Sequence, residues 1–366
     1  MPNLRFPEFE GEWEKKTIGE ATEEFQSGRY LKADKIKAEG KNPVYGGNGL
    51  RGYTESYNHI GDYVLIGRQG ALCGNIRFVT GKTYITEHAI AVKGNKDNDT
   101  KFLQYLFEGM NLGHYSDQSA QPGLAVSKLL RLCIYTPKKQ EQNQIAKFLT
   151  LIDERIATQN RIIEDLKSLS NTICERLYSP FEKTDWQTYK YAELFSISNE
   201  RNKALQYKNV LSASQEYGMV ERNELNIDIK FDNSSIKNYK IVRPNEYVIH
   251  LRSFQGGFAY SDKTGVCSPA YTILIPNDKL SEAFLKYYFS SQKFIDSLRI
   301  VTYGIRDGRS INVDEFLQLK IAIPSISQQK YIVHVMQQWE QMIRTEEYIL
   351  DKFQKQKAYL LKEMFV

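Results

Sequence analysis

Long apolar runs and cysteine are both scarce in this 366-residue sequence. No uninterrupted apolar run reaches the ~18 residues that a membrane-spanning helix needs, and residues 1–10 lack the apolar core of a secretory signal peptide. The cysteines show neither metal-ligand spacing nor the short spacing of a disulfide framework; they are Cys73, Cys133, Cys174 and Cys267. We therefore expect a cytoplasmic protein with reduced thiols and no membrane partner.

The sequence also lacks the motifs of common nucleotide-dependent and metal-dependent enzymes. It has no Gly-Lys-Ser/Thr phosphate loop, no glycine-rich dinucleotide turn and no metal pattern among its five histidines. Residues 268–271 (Ser-Pro-Ala-Tyr) faintly resemble the Asn-Pro-Pro-Tyr motif of adenine methyltransferases, but we expect them to lie inside a strand-like run that ends at Pro276. Asp62, Glu87 and His88 form no nuclease carboxylate set. The sequence predicts a non-enzyme, without a catalytic residue, metal or cofactor of its own.

A heptad seam is present, and it occurs twice. Alternate steps of four and three residues from Ile145 to Leu177 give ten positions, of which eight are Ile or Leu. The same spacing 187 residues later gives a second seam from Ile332 to Met364. The polar interruptions fall at matching places, at Gln159 and Ser170 and then at Glu346 and Lys357. Such a seam requires a partner helix.

The two seams predict two long helices that pack on each other. Each can run ~38 residues, or ~57 Å at ~1.5 Å per residue. A whole domain separates them, so the returning chain can begin beside the end of the first helix. We therefore predict an antiparallel coiled coil in which Gln159 approaches Lys357. The alternative is a pair of amphipathic helices, each lying on its own domain.

The repeat extends into the globular parts. The β-rich stretch 61–68 matches 245–252, the short helix 102–107 matches 284–289, and the last strand 129–137 matches 316–324. Short strands, glycine-rich turns and few helices predict an α+β fold, with two α/β-mixed domains in a pseudo-twofold repeat. We predict domains and helices in the order 1–138 (domain 1), 139–180 (helix 1), 181–325 (domain 2) and 326–366 (helix 2).

Loops in which Tyr, Asn, Arg and Gln alternate with glycine are the candidate DNA-contacting segments. Arg and Gln pair bidentately with guanine and adenine edges, whereas the net charge of +5 is only compatible with such a role. The alternatives are turns without a ligand, a strand-end arginine paired with a carboxylate, and solvated loops. The candidates are Tyr45, Asn48, Arg51, Tyr53, Arg68, Gln69, Gln118, Ser119 and Gln121 in the first domain and Arg252, Ser253, Tyr303, Arg306 and Arg309 in the second.

Over its whole length the chain resembles the specificity subunit of type I restriction-modification systems. The resemblance rests on two domains that are each followed by a long helix, on residues 4–9 before Trp13, and on residues 45–49. It implies that each domain reads one half of a bipartite, asymmetric site in double-stranded DNA and that the coiled coil fixes the gap.

The same resemblance implies partner subunits. Two methyltransferase subunits would bring S-adenosylmethionine to methylate adenine, and two restriction subunits would translocate and cleave DNA with ATP and Mg²⁺. A coiled-coil adaptor that binds protein partners shares the two helices but predicts no salt-dependent affinity for DNA. An autonomous modification enzyme is a further alternative, which the missing cofactor loop disfavours.

Overall fold

The structure, a computed structural model, describes residues 2–70, 72–116, 123–179, 185–214, 217–222, 233–250, 257–303 and 310–365. The chain divides into two compact units. Unit 1 comprises residues 1–161 and 347–366, and unit 2 comprises residues 162–346. Both unit boundaries fall inside long helices. The units therefore differ from the predicted domains and helices, whose boundaries at 138, 180 and 325 stay a prediction.

Unit 1 combines antiparallel strands with short helices. Its elements are β1 (Glu14–Thr17), α1 (Ile18–Ala21), β2 (Thr22–Ser27), β3 (Asn42–Gly46), β4 (Gly49–Thr54), β5 (His59–Ile60), β6 (Tyr63–Gly67), β7 (Ile76–Val79), β8 (Lys82–Ile85), β9 (Ala89–Gly94), α2 (Thr100–Met110), α3 (Val126–Leu129), β10 (Cys133–Thr136) and the first part of α4 (Lys139–Leu177). One sheet has the strand order β2-β9-β6-β7 and another has β4-β3-β8-β5. Strand β1 pairs with β10, so the first and last strands of the predicted domain 1 lie side by side.

Unit 2 repeats this plan. Its elements are β11 (Gln187–Lys190), β12 (Phe195–Ser198), β13 (Leu211–Ser214), β14 (Gly218–Glu221), β15 (Lys240–Val242), β16 (Tyr247–Ile249), β17 (Phe258–Tyr260), β18 (Gly265–Cys267), β19 (Thr272–Pro276), α5 (Phe284–Phe289), α6 (Gln292–Ser297), β20 (Thr302–Tyr303), β21 (Ser310–Ile311), α7 (Val313–Gln318), β22 (Lys320–Ile323) and the first part of α8 (Ile326–Met364). The sheet order β12-β19-β16-β17 repeats β2-β9-β6-β7, and β11 pairs with β22 as β1 does with β10. The predicted α+β repeat is confirmed.

The predicted strand-like run that ends at Pro276 is confirmed only for residues 272–276 and is wrong for residues 268–271. Residues 268–271 form the turn between β18 and β19, where the Tyr271 N–H donates to the Ser268 carbonyl oxygen at 3.1 Å. Pro269 lacks the N–H that a strand needs for its ladder, and the Ser268 hydroxyl accepts from the Ala270 N–H at 3.3 Å. A serine that bonds its own backbone two residues on favours a turn.

The seams of α4 and α8 are covered along their whole length. All twenty seam positions are buried or half-buried. In unit 1, Leu149 shares a core with Leu360, and further along α4 the Arg155 guanidinium lies 5.2 Å from the Phe353 ring centre. Rising numbers in α4 thus meet falling numbers in α8, which confirms the antiparallel coiled coil. Each buried Leu or Ile contributes roughly 1.5–3 kcal/mol relative to exposure.

The C-terminal residues complete the core of unit 1. The Phe365 ring centre lies 6.4 Å from that of Trp13 and 5.5 Å from that of Phe102. The Leu4 N–H donates to the Glu363 carbonyl oxygen at 2.9 Å. Unit 1 is therefore built from two separate segments, residues 1–161 and 347–366. Within the described ranges, no helix is both long and apolar enough to cross a lipid bilayer.

A buried glutamine ties each long helix to its domain. The Gln142 amide donates to the carbonyl of the proline five residues before it at 2.8 Å and accepts from the Asp99 N–H at 2.8 Å. The Gln329 amide likewise donates to the carbonyl of the proline five residues before it at 2.9 Å and accepts from the Ser281 N–H at 2.7 Å. Both side chains are 1% exposed. The equal proline-to-glutamine spacing in the two halves therefore reflects one repeated contact.

A tyrosine on α2 and a lysine on α8 meet at a carboxylate of α4 in unit 1. The Tyr105 hydroxyl donates to Asp153 at 2.8 Å, and the Lys357 ammonium lies 2.7 Å from Asp153 and 2.9 Å from Glu108. Burial alone would lower the pKa of Lys357, but its hydrogen bonds to Asp153 and Glu108 raise it overall. Lys357 thus takes two carboxylates in place of the expected Gln159, because charge-assisted hydrogen bonds are stronger than bonds to an amide.

Unit 2 has a tyrosine–carboxylate contact at the corresponding place, with different cations. The Tyr287 hydroxyl donates to Glu340 at 2.7 Å, and the Lys286 and Arg344 side chains lie 2.8 Å and 2.6 Å from the same carboxylate. Burial alone would raise the pKa of Glu340, but hydrogen bonds from Lys286 and Tyr287 lower it overall. Here both cations come from the short helix and from α8 itself.

Candidate nucleic-acid interface

The β3–β4 hairpin carries three of the candidate residues at its tip. Tyr45 lies opposite Leu50 just after a shift in strand register, and Gly46 lies opposite Gly49. Asn48 and Arg51 are exposed and Tyr45 is half-buried. Gly49 has a φ of 102°, which favours glycine because L side chains rarely adopt it. The tip therefore depends on glycine while it presents polar side chains to solvent.

Three chain segments converge at Gly47. A Cβ on Gly47 would lie 2.7 Å from the His88 carbonyl oxygen, 3.6 Å from the Arg68 nitrogen and 3.6 Å from the Gln69 carbonyl oxygen. The Arg68 N–H also donates to the His88 carbonyl oxygen at 2.9 Å. The hairpin tip, the end of β6 and the turn before β9 thus touch through backbone atoms. Asn48, Arg68 and Gln69 stand on these adjoining segments.

Arg51 joins this group through Gly46. A Cβ on Gly46 would lie 2.8 Å from Cδ of Arg51 and 3.3 Å from the Thr86 hydroxyl oxygen. The Thr86 N–H donates to the Tyr45 carbonyl oxygen at 2.9 Å. Tyr53, in contrast, lies near the far end of β4, where its backbone exchanges two hydrogen bonds with Lys37 at 2.8 and 2.9 Å. The structure therefore brings Tyr45, Arg51, Arg68 and Gln69 near one hairpin tip, with Tyr53 away from it.

Arg77 is a member of this surface that the sequence reasoning missed. It lies on β7, is exposed, and has a guanidinium nitrogen 3.0 Å from the place of a Cβ on Gly49. Its neighbours Ile76 and Phe78 are half-buried. A single arginine within a run of apolar strand residues was the available signal, because alternate residues of a strand face opposite sides. Arg77 adds positive charge at the hairpin tip, which also carries Arg51.

His88 and Glu87 are also part of this surface. His88 Nδ1 lies 3.1 Å from Gln69 Oε1, and His88 Nε2 lies 3.4 Å from Glu87 Oε1. The sequence reasoning weighed this pair only as nuclease residues. The pair stands directly before β9, and β9 pairs with β6, which brings it beside the strand-end residues 68 and 69. The sequence held no signal for this pairing. The residue pair contacts a candidate DNA-binding side chain.

The remaining candidates fall mostly outside the described residues. Tyr303 is the last residue of β20. The candidates that lie outside the described ranges are Gln118, Ser119, Gln121, Arg252, Ser253, Arg306 and Arg309. All the candidate residues stay predictions as DNA contacts. In the part of the chain that the structure describes, no group of three His, Cys, Asp or Glu side chains could hold a metal ion.

The arrangement in unit 1 suits recognition of an anionic polymer with polar edges. Exposed guanidinium groups can bind phosphates or guanine, and an exposed carboxamide can pair with a base edge. These side chains stand on backbone segments that contact one another directly, which restricts their positions. Contacts on rigid segments retain more binding free energy, because less conformational entropy is lost on association.

Sequence comparison gives matches to one family. The model described as the type I restriction modification DNA specificity domain matches residues 10–168 and 183–354. The type I restriction enzyme EcoprrI specificity subunit of Escherichia coli is 37% identical over 182 residues, which cover 48% of this chain and 45% of that protein. A putative type I restriction enzyme specificity subunit of Haemophilus influenzae, S.HindORF215P, is 27% identical over 143 residues, 38% of this chain and 37% of that protein. The chain thus spans less than half the length of these relatives.

Comparison with solved structures gives the same fold. The S subunit of a type I restriction-modification system from M. genitalium matches with a TM-score of 0.63 and 16% identity, over 100% of this chain and 99% of that one. A chain from a structural study of complex assembly and conformational transition in the type I R-M system matches with a TM-score of 0.62 and 13% identity, over 98% of each chain. At these identities the likeness shows the fold.

Proposed function

Because the chain belongs to the family of type I restriction-modification DNA specificity domains, we propose that it is the DNA-recognition subunit of such a system. Each unit reads one half of a bipartite, asymmetric site in double-stranded DNA, and the coiled coil sets the unspecified gap. The chain itself is not catalytic. It acts in the cytoplasm as part of a larger complex.

One observation carries this proposal. The two units share one sheet order, one pair of closing strands and one buried glutamine. Their loops differ: the turn before β9 is Thr86-Glu87-His88, whereas the turn before β19 is Ser-Pro-Ala-Tyr at 268–271. The same sheet and closing strands with different exposed turns support the proposal that the two units bind different base sequences. The arginines and glutamine of unit 1 supply side chains of the type that read bases.

The complex would contain two methyltransferase subunits and two restriction subunits. The methyltransferase subunits would hold S-adenosylmethionine, and the restriction subunits would hold ATP and Mg²⁺. The target adenines would leave the duplex stack to reach the methyltransferase, as bases must in such enzymes. This chain would bind and orient the DNA and would hold the partner subunits around it. The name of one structural neighbour refers to assembly of such a complex.

The test is a map of N6-methyladenine in cells that co-express the chain with its methyltransferase partner. We expect one bipartite motif with a fixed gap, found by long-read sequencing of the host genome. A soluble complex that leaves the genome unmethylated would contradict the proposal. A salt titration then tests the adaptor alternative, because affinity for DNA that depends on phosphate contacts falls steeply with salt concentration.

Arg68→Ala tests the assignment of unit 1 to one half-site. If Arg68 reads a base, the variant should relax specificity at one position of one half-site by about 1–3 kcal/mol. Arg131→Ala is the control, because Arg131 is exposed in the same unit and lies outside the candidate surface. Equal loss of affinity on every sequence would mean that Arg68 contacts only phosphate.

A further inference from the structure

We propose that Leu205 in unit 2 and Tyr30 in unit 1 act as apolar wedges, which enter between stacked bases of the bound DNA and open one base step at each half-site. Opening the stack lowers the free energy needed to move the target adenine out of the duplex. This proposal rests on the proposed function, since it assumes that both units bind DNA. The wedges read no base and act beside the candidate residues that do.

Leu205 is held outward in a conformation that is unusual for its side chain. It is 52% exposed, and its φ of 53° lies in the left-handed region that bulky residues rarely adopt. Glycine or asparagine is the usual residue in that region. A leucine that combines backbone strain with exposure gains little from packing. Such strain is often kept where a side chain has a function.

The loop that carries Leu205 is closed by a buried asparagine. Asn202 is 1% exposed, and its amide donates to the Tyr207 carbonyl oxygen at 2.7 Å and accepts from the Tyr207 N–H at 3.2 Å. The Leu205 N–H donates to the Asn202 carbonyl oxygen at 2.9 Å. These bonds fix the tip of the loop before DNA arrives. Insertion of Leu205 therefore loses little conformational entropy.

Tyr30 stands on the corresponding loop of unit 1. Both loops follow the first strand of the repeated four-stranded sheet, which is β2 in unit 1 and β12 in unit 2. Tyr30 is 69% exposed, and its carbonyl oxygen accepts from the Tyr84 hydroxyl at 3.1 Å. The Arg29 N–H beside it donates to the Ile85 carbonyl oxygen at 3.0 Å. Each unit thus projects one large apolar side chain from the same place in the fold.

Both loops adjoin the exposed turns in which the two units differ. In unit 1, the Ile85 carbonyl that holds the loop stands directly before the turn at 86–88. In unit 2, the loop forms a backbone bridge with Lys240, whose ammonium donates to the Tyr271 carbonyl oxygen at 2.8 Å, in the turn at 268–271. A wedge on each loop would therefore enter DNA next to the turn that we propose faces the bases.

Exposed cations flank both loop tips. None of them forms an ion pair within the described part of the chain. They are Arg201, Lys203 and Lys208 in unit 2 and Arg29 and Lys32 in unit 1. A single exposed apolar residue is ordinary on a protein surface. An apolar residue among cations that can hold phosphates is instead the arrangement by which proteins insert a wedge and unstack a base step.

The experiment places 2-aminopurine, an adenine analogue that fluoresces more strongly when unstacked, beside the target adenine of one half-site at a time. It uses the full chain in complex with its methyltransferase partner, on duplexes that carry the methylated motif. We expect Leu205→Gly to lower the fluorescence rise about tenfold at the half-site of unit 2 alone, and Tyr30→Ser to do so at that of unit 1 alone. Methylation of the adenine in the affected half-site should slow by a similar factor.

Further variants separate a wedge from a structural residue. Glycine relieves the strained φ at position 205, so Leu205→Gly should leave the stability of unit 2 nearly unchanged. Leu205→Met and Tyr30→Phe keep an apolar side chain and should keep the fluorescence rise. The recognised motif should be the same in every variant. Ile275→Thr is the control, because Ile275 is an exposed apolar residue on β19 of unit 2.

Two outcomes would overturn the wedges and leave the proposed function standing. One is a fluorescence rise that persists in full in either Leu205→Gly or Tyr30→Ser. The other is a loss that appears equally at both half-sites, since each wedge serves the half-site of its own unit. Absence of any sequence-selective binding by the unchanged chain would defeat the proposed function itself.

Discussion

Units 1 and 2 hold their long helices with the same buried glutamine contact but present different turns beside the corresponding sheets. Gln142 and Gln329 occupy matching places, whereas Glu87 and His88 in one turn have no equivalent in the Ser-Pro-Ala-Tyr turn of the other. The buried contact satisfies backbone groups that would otherwise be unpaired, so a change there destabilises the unit. The turns are exposed, and their side chains can differ without such a cost. The buried glutamine contact is thus the part that the two units share, and the exposed turns are the part in which they differ.

The junctions between short helix and long helix show a second contrast. In unit 1, the cation that binds the α4 carboxylate comes from the other long helix, as Lys357. In unit 2, the cations that bind Glu340 come from α5 and from the helix that carries the carboxylate. The ion pairs of unit 1 thus join three elements, and those of unit 2 join two. Removal of these charges should therefore affect the units differently.

Removal of either glutamine should have the largest effect. Gln142→Leu and Gln329→Leu should each destabilise their own unit by about 3 kcal/mol, because each change leaves several buried N–H and carbonyl groups unpaired. Amide hydrogen exchange, read separately for peptides of units 1 and 2, measures the change in opening free energy. Gln338→Leu is the control, since Gln338 is exposed on α8. A loss confined to one of the two units would show that the glutamines are not equivalent.

Lys357→Met should come next. It leaves Glu108 and Asp153 without their shared cation and should destabilise unit 1 by about 2 kcal/mol, less than a fully buried pair because both carboxylates keep some exposure. The matched change in unit 2, Ser170→Ala, should alter stability by less than about 0.5 kcal/mol. Urea titrations with hydrogen-exchange readout compare the two variants. Equal losses of unfolding free energy in both units would show that the two junctions do not differ in this respect.

The contribution of Lys357 to the stability of unit 1 should also depend on pH. Its pKa is raised above the ordinary value of 10.5 in the folded state. A raised pKa stabilises the fold fully below the unfolded value, and the stabilisation is lost as the pH rises through the folded value. The stability difference between wild type and Lys357→Met should therefore be constant near neutral pH and should shrink above about pH 10.5.

Among the changes that remove a charge, Glu340→Gln should have the smaller effect, about 1 kcal/mol in unit 2, because the amide can still accept from Tyr287. The pKa of Glu340 is lowered below 4.5 in the folded state, so its stabilisation is present above that value and is lost as the pH falls through the folded pKa. Acid titration of unit 2 by hydrogen exchange, with and without the change, measures this. A difference between the two proteins that persists unchanged at about pH 2 would rule out this role for the charge.

The long helices could be predicted from sequence because a heptad seam is a regular spacing of apolar residues. The α+β repeat was visible for the same reason, since apolar strand and helix patterns recur in matching order. The contacts of Gly47 with residues 68 and 88 could not be predicted from the sequence. They depend on the order of strands in the sheet and on backbone atoms, and neither leaves a pattern in residue type. Lys357 was assigned to Gln159 because the heptad pattern gives no information about Glu108 on a separate helix.

The participation of residues 347–366 in unit 1 has a consequence for the time course of synthesis. Residues 1–161 are made before residues 162–346, but Trp13 and Phe102 lack the Phe365 ring until residues 347–366 follow. Residues 162–346, which are 185 residues, must be translated in between. At ~5–20 residues per second this takes about 10–40 s. Unit 2 is one continuous segment and needs no residues from outside it, whereas unit 1 cannot complete its core until residues 347–366 have been made.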